Sequence, residues 1–203
     1  HRGPDGHGTF VSDNGRVGLG HARLSIVDLT TGAQPLYSEN RDLALVCNGE
    51  IYDDAEWRRE LGNRGHVFSS ASDSEVIIHL YEEHGAECVE LLRGEFAFLL
   101  YDRQKQLVLA ARDRFGIKPL FFNRQHDRVV FGSEAKAIFA TRALRPALDV
   151  TALRDYFTGV LPDSIFEGVE SVPPGCWMTV RVGDGACNVQ RYWDIDLPAE
   201  QGP

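Results

Sequence analysis

Apolar and polar positions along this chain follow two periods, and each recurs in blocks. In "LALVCN", residues 43–48, Leu43, Leu45 and Cys47 point one way and Ala44 and Val46 the other, the two-residue period of a strand buried on both faces. Similar runs are "GTFVS", "VGLGHARL", "FAFLLYD", "QLVLAAR", "PLFFN", "RVVFGS" and "CWMTVRV". "FAFLLYD-RQK-QLVLAARD" reads as an antiparallel hairpin closed by a short polar turn. Helical spacing appears in "DDAEWRRELGNRG", with Asp caps at its start and Gly62 near its end, and in "SDSEVIIHLYEEHG", with a Ser72-x-x-Glu75 capping box and a stop at Gly85. "AECVELLRG" predicts a further short helix and "TALRDYF" another, capped by Thr151. The helices lie between groups of hairpin-like strands and do not alternate with them singly. That predicts an α+β fold with largely antiparallel sheets.

Composition narrows the class. The 203 residues carry 21 Lys+Arg against 30 Asp+Glu, a formal charge of -9 with no basic run, which argues against nucleic acid as a partner. No apolar stretch approaches the ~18 residues of a membrane span, and the N-terminus lacks the pattern of a signal peptide. A cytoplasmic location is therefore expected. "HRGPDG" is not how a gene starts, so the chain reads as a fragment with a segment missing upstream. "DLPAEQGP" reads as a linker, placing one domain at 1–195 and the linker at 196–203. Cys47, Cys88, Cys176 and Cys187 show neither CxxC pairs nor zinc-ligand spacing and read as reduced thiols. His84 and Cys88 stand four apart on a helix, but two ligands do not make a metal site, and no metal is expected.

The candidate chemistry starts where "LALVCN" is expected to break, on Asn48, Gly49 and Glu50. Asn-Gly is a strong turn signal. Against a hairpin, "EIYDD" offers no matching return strand. The other reading is an oxyanion hole, with a side-chain amide and a glycine N–H aimed at one oxygen. Spacing alone favours the turn. Asp73 stands in the first turn of a helix, where the dipole favours it; with Ser72 as cap, it is free to hold an ammonium group. Arg23, closing a glycine-rich strand, is either a surface or ion-paired arginine or a fork for a carboxylate. Together these offer a carboxylate clamp, an ammonium acceptor and an oxyanion hole, which a free amino acid undergoing acyl transfer needs. A nucleophile is lacking, because the period of its strand puts Cys47 on a core face.

"HRGPDG", "HARLSIVD", "GAQPLYSE", "CNGEIYD", "SDSEVIIHLYEEHG", "LRGEFAFLLYD", "ARDRFGIKPLFF", "FGSEAKAI" and "VPPG…QRYWD" follow in order through almost the whole chain. In them the sequence resembles the N-terminal glutaminase domain of glutamine-dependent asparagine synthetases, a class II (N-terminal nucleophile) amidotransferase. The resemblance implies a four-layer fold, two antiparallel sheets between helices, with an N-terminal strand lying upstream of residue 1. It implies that Arg23 binds the α-carboxylate of glutamine, that Asn48 and Gly49 form the oxyanion hole, and that Glu50 and Asp73 lie near the α-amino group. The implied nucleophile is an N-terminal cysteine upstream of residue 1, with its own amine as base. Without it the fragment is expected to be inactive. Ammonia would pass to a C-terminal synthetase domain that uses ATP and magnesium to activate a carboxylate, aspartate by default; the glutaminase domain itself needs no cofactor. A homodimer is compatible with the resemblance. The competing reading is a non-catalytic structural module of a carboxylate-activating synthetase or cyclase.

Overall fold

The computed structural model describes residues 3–24, 31–126, 128–160 and 162–196. The first two residues of "HRGPDG", residues 25–28 of "HARLSIVD" and linker positions 197–203 lie outside the described residues.

The two-residue periods build a six-stranded antiparallel sheet. Its strands are β3 (Leu36–Tyr37), β4 (Leu43–Ile51), β5 (Gly94–Asp102), β6 (Leu107–Arg112), β10 (Cys176–Arg181) and β11 (Cys187–Arg191), in the order β11-β10-β6-β5-β4-β3. The predicted hairpin is β5–β6, with Ala97 opposite Arg112 and Asp102 opposite Leu107. Both faces of this sheet are covered, so each strand feeds two cores. Leu43, Leu45 and Cys47 of β4 join Phe96, Phe98, Leu100, Leu109 and Trp177 under the helices α1 (Asp54–Asn63), α2 (Val76–His84) and α3 (Cys88–Leu91). Ala44 and Val46 join Ala97, Tyr101, Ala110 and Met178 on the opposite face. Apolar runs without polar interruption follow from this double burial.

A second β layer covers that opposite face in two pieces. One is the hairpin of β1 (Gly6–Val11) and β2 (Gly18–Arg23). The other is a three-stranded sheet ordered β8-β7-β9, from β7 (Phe121–Gln125), β8 (Arg128–Gly132) and β9 (Glu170–Ser171). Leu19 of β2 and Phe122 of β7 pack into the same core from the two pieces. The helix α4 (Ala135–Ala140) packs on β7 and β8, with Ile138 fully buried, and completes the α+β four-layer order. Between β2 and β8 the two pieces leave a cavity of about 790 Å³, floored by Val46, Ala97, Leu99 and Val180.

Four local expectations need correction. First, β4 does not break at Asn48-Gly49. It runs on to Ile51, with Asn48 opposite Ala97, Gly49 opposite Phe96 and Ile51 opposite Gly94. The glycine is required by contact between strands, because a Cβ on Gly49 would lie 2.0 Å from the Glu95 carbonyl oxygen, and its φ is +146°. Second, the Ser72–Glu75 capping box does not form. Glu75, in the 3-10 turn Asp73–Glu75, instead accepts from the N–H and hydroxyl groups of Ser69 and Ser70 at 2.6–2.8 Å. Third, α5 (Val150–Phe157) is capped by Asp149, which accepts from Thr151 and Ala152 N–H, and not by Thr151. Its carboxylate is the stronger acceptor and stands one residue before the helix. Fourth, Asp53 occupies the N-cap of α1 without a side-chain cap bond, and its carboxylate faces Arg93 at 3.4 Å.

Candidate active site

The outer edge of β4 beyond the short β3 positions most of the predicted site. Leu45 is paired there with Leu36 of β3. Two residues on, a side chain substitutes for a strand: Gln34 accepts from Cys47 N–H at 2.6 Å and donates to the Cys47 carbonyl at 3.0 Å. Two further residues along are Gly49, and then Ile51, whose N–H donates to Asp73 Oδ2 at 2.6 Å. Ladder groups alternate between the two sides of a strand. Gly49 N–H is thereby directed to the same open edge, between the Gln34 clamp and the Asp73 carboxylate.

Asn48, Gly49 and Glu50 thus follow one another on the strand, and Asp73 is bonded to the residue that comes next. Asn48 is half-buried and lines the cavity beside His21 and Phe98. Among the described residues its side-chain amide makes no hydrogen bond. Glu50 is exposed. Asp73 is 7% exposed and not free, since one of its oxygens holds Ile51 N–H. Burial raises its carboxyl above the ordinary value, and the nearby Asp54 and Glu50 charges add to this; the Ile51 and Ser74 N–H groups oppose it. Burial and like charges of this kind favour the neutral carboxyl unless a cation is bound beside it.

Arg23, half-buried, ends β2, which lies across β4 with the His21 ring Nε2 3.1 Å from the Cys47 carbonyl. Thr31 Oγ1 accepts from the N–H of Ala71, two residues before Asp73.

Cys47 is structural, as its period implies. Its thiol is buried, and desolvation pushes it up to about 12, so no thiolate forms at neutral pH. His84 is exposed at the end of α2, whereas Cys88 is fully buried with its thiol also raised by burial, so the two share no site.

Two residues beside the site were missed. His21 shares the face of β2 that carries Leu19 and Arg23, and burial lowers its imidazole below the ordinary value, so it is held neutral. Its Nδ1 is buried at the cavity wall, with no hydrogen-bond partner among the described residues. The period of β2 could have revealed it. Gln34 could not have been found, because its role depends on β3 being short.

Residues 1–193 match the family of glutamine amidotransferase domains. Amidase chry2 of Gibberella zeae is 40% identical over 199 residues, 98% of this chain and 29% of its own length. The glutamine-hydrolyzing asparagine synthetase 3 of Bacillus subtilis is 37% identical over 202 residues, 96% of this chain and 32% of its own. The chain thus spans about a third of the length of these curated relatives. Among solved structures, the glutamine phosphoribosylpyrophosphate amidotransferase of B. subtilis superposes with a TM-score of 0.59 at 24% identity, covering 87% of this chain and 35% of that one. That likeness is one of fold. The architecture and matches define an α+β sandwich of the glutamine amidotransferase type. The chain belongs to the glutamine amidotransferase domain family, in the form found in asparagine synthetase-like proteins.

Proposed function

We propose that this domain binds glutamine and hydrolyses its side-chain amide, supplying ammonia for ATP-dependent amidation of a carboxylate, aspartate by default. The observation that carries the reading is the pairing of an uncommitted Asn48 amide with a Gly49 N–H directed to the open edge of β4. Arg23 takes the α-carboxylate in its planar fork, and Asp73 with Glu50 takes the α-ammonium. The two clamps hold the glutamine side chain so that its carbonyl oxygen faces Asn48 and Gly49.

The attacking thiol belongs to an N-terminal cysteine on an extended segment of the same polypeptide, lying in the cavity between β2 and β8. Two features support this placement: among the described residues each strand has an edge without a strand partner there, and the floor is apolar. The sulfur adds to the amide carbon, and the oxygen becomes an anion held by the two N–H donors. Collapse expels ammonia, which takes up the proton lost by the thiol. Water then cleaves the thioester to glutamate and restores the thiol. ATP and magnesium belong to the synthetase domain that receives the ammonia. The relatives' names divide between asparagine synthetases and amidases, and in this reading the second domain sets the acceptor.

The test separates binding from chemistry. Arg23→Ala should raise the glutamine KM by about 100-fold or more. Asn48→Ala should lower kcat by about 100- to 1,000-fold with little change in KM. Equal loss of binding and turnover in Asn48→Ala would mark the residue as structural and overturn the oxyanion assignment.

A further inference from the structure

On the far side of the helical layer, α2 carries a cluster for which glutamine chemistry has no use. His66 Nδ1 and His79 Nδ1 are 3.2 Å apart. Glu82 Oε2 lies 3.2 Å from the first and 3.0 Å from the second. Glu39 offers a carboxylate oxygen within 4.8 Å of ligand atoms on both histidines. The side chains come from three places: the turn after β3, the loop after α1, and one face of α2, where His79 and Glu82 stand three apart.

Hydrogen bonds alone do not satisfy this triangle. A ring nitrogen carries one hydrogen or a lone pair, and an ionised carboxylate oxygen only accepts. With hydrogens on both nitrogens, the edge between them sets two donors face to face. With one or none, at least one edge sets two lone pairs together. With the carboxylate ionised, one close contact is repulsive in every protonation state of the two imidazoles.

A cation at the centre removes the conflict. Ligand atoms about 2.0–2.1 Å from a tetrahedral zinc are about 3.3 Å from each other, close to all three edges. The surroundings also match those of metal-bound histidines, which hand their second N–H to a carboxylate. His66 Nε2 is 3.2 Å from Glu83 Oε1, and Glu83 is itself held by Arg64. His79, 1% exposed, has its Nε2 buried with no hydrogen-bond partner among the described residues, and Glu75 Oε1 is the nearby carboxylate at 4.0 Å.

We propose that His66 Nδ1, His79 Nδ1, Glu82 and Glu39 form a structural binding site for one zinc-class divalent cation. Two imidazoles and two carboxylates suit zinc, and a fourth protein ligand closes the site against substrate. Bound there, the ion staples α2 to the loop after α1 and to the turn after β3. This inference is independent of glutamine hydrolysis.

The test uses purified protein stripped with a chelator and titrated with zinc by calorimetry, with cobalt as a spectroscopic substitute. One zinc should bind per chain and raise the melting temperature, and cobalt should give the intense visible bands of four-coordinate nitrogen and oxygen ligation. His66→Ala and Glu82→Gln, both at partly exposed positions, should fold and lose at least tenfold in zinc affinity and the zinc-dependent rise in melting temperature. Absence of saturable zinc binding would overturn the proposal. So would unchanged affinity in the two variants, or a pale six-coordinate cobalt spectrum.

Discussion

Gly49 shows how much a single residue decides. With φ at +146° and a missing Cβ that would sit 2.0 Å from the Glu95 carbonyl, it lets β4 stay paired where any side chain would push β5 away. Gly49→Ala should therefore cost about 3 kcal/mol or more, read as a lowered urea midpoint. Cys47 gives the opposite case. Its thiol, raised to about 12 by burial, should resist thiol reagents in the folded protein and react only on unfolding, while half-buried Cys187 reacts first. Fast native-state labelling of Cys47 would contradict its placement. Asp73 carries a pH signature. Its folded carboxyl is raised above its unfolded value, so the folded state binds the extra proton, and its contribution to stability falls as pH rises through that window. Glutamine binding should run the other way, with KM worsening as pH drops through the raised value and the ammonium partner is neutralised. At this scale residue types alone named Arg23, Asn48, Gly49, Glu50 and Asp73 as candidates, and the structure sets Asn48, Gly49 and Glu50 in succession on β4 with Asp73 bonded to Ile51 N–H. The reason for Gly49 was not legible in the sequence, because the carbonyl it avoids lies 46 positions away.

At the scale of elements, local pattern found most strands and missed what crosses between them. The period of β4 assigned each face correctly, since alternation depends only on neighbours. Its end was misplaced because pairing with β5 outweighs the turn propensity of Asn-Gly. Cap assignments failed where a side chain had a better use. Glu75 holds four donors from Ser69 and Ser70, which fixes the loop leading into Asp73. Burial alone would raise the Glu75 carboxyl, but these bonds outweigh it and hold the group below its ordinary value of 4.5. Its stabilisation is accordingly full above that value and lost as pH falls through the folded one. Glu75→Gln should destabilise by about 1.5–3 kcal/mol at neutral pH, checked by denaturant unfolding, with the difference from wild type shrinking in acid. The His66–His79 cluster shows the same limit. His79-x-x-Glu82 on one helix face was visible as a spacing, but its partners arrive from a loop and a turn whose approach no local pattern records.

For the whole molecule, the double cover of the six-stranded sheet explains the long apolar runs, and the fold class could be read from them. The division of the second layer could not, because β1–β2 and β8-β7-β9 are joined through strands far apart in sequence. The cavity between them meets the outer edge of β4 at Asn48, and the pairing of that amide with Gly49 N–H is the basis of the functional reading. The decisive measurement is incubation of the full-length protein, its N-terminal cysteine verified as free, with glutamine labelled with ¹⁵N at the side-chain amide. The account predicts labelled ammonia and unlabelled glutamate in equal amounts, with release lost in Arg23→Ala. Labelled glutamine left intact by that protein would contradict it, and the domain would then be a structural module.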